Sequence, residues 1–147
     1  MQEAEILHRV QALLPGRARV VRDPQDGSVR VPGAYALLLH LPAPVCFSRA
    51  RIGSGSLVGW HVYAGSARGG GGIGGRLARH FVRDKPIRWH VDELTNAAGQ
   101  IVALAVPDGS ECDIGESLLR SGQFAIALPG FGSSDCRSCA GHLFRPA

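Results

Sequence analysis

Arg76 and His80 stand four residues apart in "WHVYAGSARGGGGIGGRLARH" (residues 60–80), a spacing that puts a guanidinium and an imidazole on one face of a helix. The planar fork of an arginine holds two phosphate oxygens at once. The glycines just before this pair invite a second chemistry, a phosphate cradle of bare backbone N–H groups at a helix N-terminus. A P-loop, however, needs Lys and then Ser or Thr after its last glycine, and Gly75 is followed by Arg76 and Leu77. A dinucleotide fingerprint drawn through Gly70, Gly72 and Gly75 lacks an acidic residue closing a second strand. Without further support, Arg76, Arg79 and Arg83 read more readily as a solvated basic helix face. A second constellation lies near the C-terminus. Cys136, Cys139 and His142 in "SSDCRSCAGH" can surround one ion with Cys112 as fourth ligand, a structural zinc site of the Cys₃His kind. The alternative packs Cys112 in the core and leaves Asp135 or His142 to border a cleft.

Something must position these groups, and 147 residues suit one domain with a real core. Apolar residues at 45% against 19% charged exclude a disordered chain. No apolar run approaches a membrane span. The start "MQEAEILHRV" lacks the basic region and long apolar stretch of a secretory signal. A cytoplasmic protein that meets no membrane is therefore expected, with its four cysteines as thiols or metal ligands. A net charge of +4 leans toward an anionic partner.

Along the chain, Ile6, Leu7, Val10, Leu13 and Leu14 predict a short helix ending at Pro15-Gly16. A strand and turn follow, so residues 1–30 form a lead-in to a domain over 31–147. "GAYALLLHL" (33–41) predicts a buried strand stopped by Pro42. A second strand falls within "VCFSRARIG" and a third in "GWHVYAG". Ile73, Leu77 and Phe81 predict a helix, "RWHVDELTN" a short one, "QIVALAVP" another buried strand, and "ECDIGESLLRSG" a helix capped by Asp108 or Ser110. "QFAIALPGFG" reads as an edge strand, and the tail as loop. The fold class predicted is α/β (α+β), a small single-domain sandwich with a mixed β-sheet flanked by helices.

Five segments in order carry a family resemblance: Gly33-Ala34-Tyr35, "HVYAGSA", "WHVDEL", Glu111-Cys112, and "GFGSSDCRSCAGHLF". The sequence resembles the GIY-YIG nuclease superfamily over residues 33 to about 145. Within it, the chain looks like the branch with a GSA-type second motif and a GFGSSDC…HLF ending, whose members occur fused to endonuclease III-type repair glycosylases. The resemblance implies a GIY-YIG-like fold and a metal-dependent endonuclease, a hydrolase of phosphodiester bonds in DNA, or RNA, with a role in DNA repair. It also implies a repair-protein partner.

On that resemblance Tyr35 activates the water, Tyr63 positions the phosphate, Arg76 clamps it and His80 passes a proton. A phenol is a poor base at neutral pH, so Arg76 would have to favour the Tyr35 phenolate. A carboxylate should hold Mg²⁺ or Mn²⁺; Glu111 and Glu116 both qualify, with Glu111 ranked first. Arg68, Arg79, Arg83, Arg88, Trp89 and His90 are the expected nucleic-acid contacts, Trp89 by stacking on a base, and Asp92 is a candidate lining of the cleft. His40 and His61 discriminate nothing. The superfamily's asparagine after the glutamate helix is missing, leaving Ser133, Ser134 or Asp135 in its place. The alternative is a non-catalytic nucleic-acid-binding module, zinc-containing, accessory to a repair enzyme.

Overall fold

In the computed structural model, residues 1–23, 30–49, 53–131 and 141–147 are described. Among the described residues four helices, α1 (Glu3–Ala12), α2 (Gly72–Phe81), α3 (His90–Ala97) and α4 (Glu111–Arg120), flank six strands. The strands are β1 (Arg19–Val21), β2 (Gly33–Arg49), β3 (Gly53–Ala67), β4 (Gln100–Pro107), β5 (Phe124–Ile126) and β6 (Leu143–Pro146), in the order β1-β4-β2-β3-β6-β5. This is the α+β class expected. The sheet itself is antiparallel in every pairing rather than mixed. A parallel neighbour needs a crossover that lands beside its own strand. Here α2 and α3 carry the chain from β3 to the far side of β2, so β3 and β4 share a direction with β2 between them.

Both faces of the sheet are covered, which explains the unbroken apolar run in β2. Tyr35, Leu37, Leu39 and Leu41 face Ile73 and Leu77 of α2 and Val91 and Leu94 of α3. Ala34, Ala36 and Leu38 face Ile6 and Val10 of α1 and Ile114 and Leu118 of α4. The N-terminal lead-in thus belongs to the same core, with β1 paired to β4; its expected turn at 24–29 lies outside the described residues.

Two elements depart from expectation. Pro42 does not end the strand, because pairing of β2 with β4 stops at His40 and the register against β3 shifts between Leu41 and Val45. Both prolines of "LPAPV" fall in that irregularity, where no ladder N–H is required. The tail is not all loop either. Leu143–Pro146 inserts as β6 between β3 and β5, with Phe144 fully buried.

The glycine run has a specific structural role. Gly71 (φ 89°) and Gly72 (φ 60°) open α2 in the left-handed region. A Cβ on Gly72 would lie 2.5 Å from the Val31 carbonyl oxygen, which accepts from Ile73 N at 2.9 Å. The loop therefore packs its backbone against the chain entering β2 and fixes the direction of α2.

Candidate active site

Register places the two tyrosines. Tyr35 pairs with Gly65, and Leu37 with Tyr63, so the tyrosines sit diagonally across β2 and β3 on the face covered by α2 and α3. Their ring centroids are 6.5 Å apart. At this end of the sheet β2 begins while β3 and β4 finish, so the β3–α2 loop and the start of α4 meet over it. The result is a recess of about 400 Å³.

Nine of the residues singled out from the sequence line it: Tyr35, Tyr63, Arg68, Arg76, His80, Arg88, Trp89, His90 and Glu111. Ser66 at the end of β3, Gly69 in the loop after it and Val91 in α3 line it too; Ser66 and Val91 lie within the motifs "HVYAGSA" and "WHVDEL", but the sequence assigns them no role of their own. Arg79, Arg83 and Glu116 lie elsewhere. Arg83 bonds the carbonyls of Ala98 and Phe81, and Glu116 pairs with Arg120 on the exposed side of α4.

At the floor, the Tyr35 hydroxyl and His80 Nε2 share a buried hydrogen bond of 2.7 Å. Each residue is 1% exposed. Burial, then the neighbouring Tyr63, drives the Tyr35 pKa well above its ordinary value, and Arg76 only partly opposes this. The expected Tyr35 phenolate is therefore corrected: loss of solvation outweighs the cation, and the residue is a phenol at neutral pH. His80 is pushed the other way, down to about 3, first by burial and then by Lys85, against the pull of Asp92. A neutral imidazole accepting the phenolic proton at Nε2 carries its own proton at Nδ1, which has no hydrogen-bond partner among the described residues.

This buried histidine has a measurable consequence. The unfolded chain binds a proton at His80 below its ordinary 6.5, whereas the folded chain does not until about 3. Stability is therefore intact above about pH 7 and falls as pH drops through that window, by about 2 kcal/mol between pH 7 and pH 5 from His80 alone. His61, also lowered by burial, adds to the slope with the same sign. Urea unfolding at the two pH values checks this, and His80→Gln should flatten much of the dependence; an unchanged slope would assign it elsewhere.

One wall of the recess is Trp89. The guanidinium carbons of Arg76 and Arg79 lie 4.5 and 4.8 Å from its ring centroid, close enough for both cations to interact with the ring. His90 packs beside Phe47 and Phe131, at 5.6 and 5.8 Å between centroids. Behind the wall, fully buried Asp92 accepts from the backbone N–H groups of Arg88 and Trp89 and from Arg79. Burial alone would raise its pKa, but these donors outweigh that and hold it below the ordinary carboxylate value. Lys85 Nζ donates to Val82 O, Thr95 Oγ1 and Asn96 Oδ1, joining α2 to α3. The sequence offered a cue to Asp92, an acid three residues after the helix N-cap, and none to Lys85.

Opposite Trp89, Glu111 opens the first turn of α4, with its side chain 26% exposed. His142 Nδ1 stands 3.9 Å from its Oε2, too long for a hydrogen bond. Cys112 is partly exposed, while Cys136, Cys139, Ser133, Ser134 and Asp135 lie outside the described residues. Among the described residues no group of three or more His, Cys, Asp or Glu side chains is placed to hold a metal, and no helix is long and apolar enough to cross a membrane.

The sequence matches the family described as Domain of unknown function DUF123 over residues 34–147. The chain belongs to that family, and the match spans the whole recess from Tyr35 to Glu111 and on to the last residue. No curated protein and no solved structure matches it.

Proposed function

We propose that this protein is a phosphodiester hydrolase, an endonuclease of the GIY-YIG type acting on DNA or RNA. The observation that carries this reading is the Tyr35–His80 hydrogen bond at the floor of a recess that also gathers Tyr63, Arg76 and Glu111. A water placed against the Tyr35 oxygen can lose a proton to it while the phenol passes its own to His80 Nε2. The pair thus acts as a general base without a free phenolate. Arg76 faces the developing negative charge on the phosphoryl oxygens, and the substrate's own negative charge offsets the cations that, after burial, depress His80.

Mg²⁺ or Mn²⁺ fits the donor set at Glu111. Such an ion takes one or two carboxylates and keeps several waters, and Glu111 presents one partly exposed carboxylate to the recess, whereas Glu116 faces away. The ion would supply Lewis-acid charge at the phosphoryl group. A repair setting, with a repair protein as partner, and a zinc bound by Cys112, Cys136, Cys139 and His142 belong to the same proposal and rest on the resemblance and the cysteine spacing.

Purified protein with Mg²⁺ should cleave some member of a panel of single-stranded, branched and supercoiled DNA and structured RNA. Arg76→Ala should lower that rate roughly 10²-fold, the scale of a lost oxyanion donor. One observation favours the second reading, a non-catalytic nucleic-acid-binding module: an imidazole held to about 3 is a weak proton acceptor. Binding across the panel without cleavage would select it.

A further inference from the structure

We infer that Arg79 is not a phosphate contact but a positioning residue: with Asp92 it forms an internal strut that orients Trp89, and Trp89 in turn orients Arg76 toward the substrate. The inference rests on the functional reading above and adds a division of labour among the basic residues of α2. Arg79 Nη2 donates to Asp92 Oδ2 at 2.6 Å and to the Pro86 carbonyl at 3.2 Å. Its Nη2 is therefore committed to α3 and to the segment leading into it. The same Asp92 oxygen accepts from Arg88 N at 2.8 Å and Trp89 N at 2.9 Å, so one carboxylate fixes both the first turn of α3 and the backbone of the tryptophan.

Arg79 and Arg76 both lie over the Trp89 ring, but only Arg76 lines the recess. The pair is an inefficient source of stability. Asp92 is fully buried, and Asp92 Oδ1 and Arg79 Nε have no hydrogen-bond partner among the described residues. A buried ion pair so incompletely satisfied gains little over apolar packing. It does gain direction, because three donors converging on one oxygen leave Trp89 a single backbone placement. Phosphate contacts are then left to Arg68, Arg76 and Arg88, the arginines of the recess.

Counterion release tests this directly. For a single strand, log affinity against log salt loses about 0.7 of slope with each phosphate contact removed. The probe is a fluorescein-labelled single-stranded oligodeoxynucleotide, read by anisotropy in metal-free buffer over a range of KCl. Cleavage of the unlabelled strand is read separately with Mg²⁺. Arg76→Met should lower the slope by about 0.7. Arg79→Met should leave it unchanged and still reduce kcat roughly tenfold at unchanged KM, the signature of a misplaced group. Because Arg79→Met leaves the Asp92 charge buried and uncompensated, the double variant Arg79→Met with Asp92→Asn is measured beside it. Its amide oxygen still accepts from the two backbone donors and no charge is stranded. An equal loss of slope in the Arg79 variants would make Arg79 a phosphate contact and overturn the inference alone, as would unchanged slope and unchanged kcat. A wild-type chain that neither binds nor cleaves would overturn the functional reading and the strut's purpose with it.

Discussion

Tyr35→Phe is expected to lower the rate of phosphodiester cleavage by about 10³-fold, within the range of a lost acid–base group, while the fold survives. The substitution removes one oxygen from a site that is 1% exposed and keeps the ring across β3. Its structural cost falls on His80, whose Nδ1 already lacks a partner among the described residues and whose Nε2 would lose the 2.7 Å bond. A buried polar group left unpaired costs about 1–3 kcal/mol, so unfolding by urea should shift without collapsing. The relay makes a sharper claim than loss of activity. If the phenol and imidazole move one proton between them, Tyr35→Phe combined with His80→Gln should be hardly slower than either single variant, because the members of such a unit are not additive. Rates that multiply would show two independent contributions and remove the relay. Binding should change much less than rate, since the substrate's charge is met by the arginines.

The parts of this site legible in the sequence are those fixed by local periodicity. Ile73, Leu77 and Phe81 set the phase of α2, and that phase alone turns Arg76 and His80 to one side. The alternation along "HVYAGSA" likewise puts Tyr63 on a strand face. What periodicity cannot carry is the partner on another element. Arg79 stands three residues from Arg76 and looks the same in a helical pattern; its fate is decided by Asp92, 13 residues on, in a helix whose placement depends on the whole crossover. The state of Tyr35 escapes the sequence for a related reason. A neighbouring cation is visible there, whereas burial beneath α2 is a property of the assembled sheet, and burial is the larger effect. The strand β6 is hidden by its four-residue length, since a stretch that short shows no period. Only docking against β3, with Phe144 buried beneath Gly115 of α4, makes it a strand.

Gly65→Ala is expected to approach the effect of removing the Tyr35 hydroxyl, although Gly65 carries no functional group. The two residues are register partners, and the tyrosine ring lies across the glycine. A Cβ there would stand 2.3 Å from Tyr35 Cζ and 2.4 Å from its hydroxyl oxygen, far inside van der Waals contact. The backbone cannot give way, because β2 is held on one side by β3 and on the other by β4, with Tyr35 opposite Gly65 and Ala105. The ring must move instead. Its neighbours leave little room, with the His80 ring centroid at 5.3 Å and that of Tyr63 at 6.5 Å. A shift of about 1 Å already costs roughly 10²-fold in a positioned reaction. Breaking the hydrogen bond to His80 as well should bring the loss to about 10³-fold. Overpacking should cost about 1–3 kcal/mol in stability. Two backgrounds separate these effects. With Tyr35→Phe, the ring still meets the new methyl, so Gly65→Ala should destabilise as before but lower the residual rate no further. With Tyr35→Leu, the clash is gone, and adding Gly65→Ala should then cost no further stability. A Gly65→Ala protein with wild-type rate and unfolding midpoint would mean that Tyr35 does not lie across β3, and the proton path drawn through it would go with it.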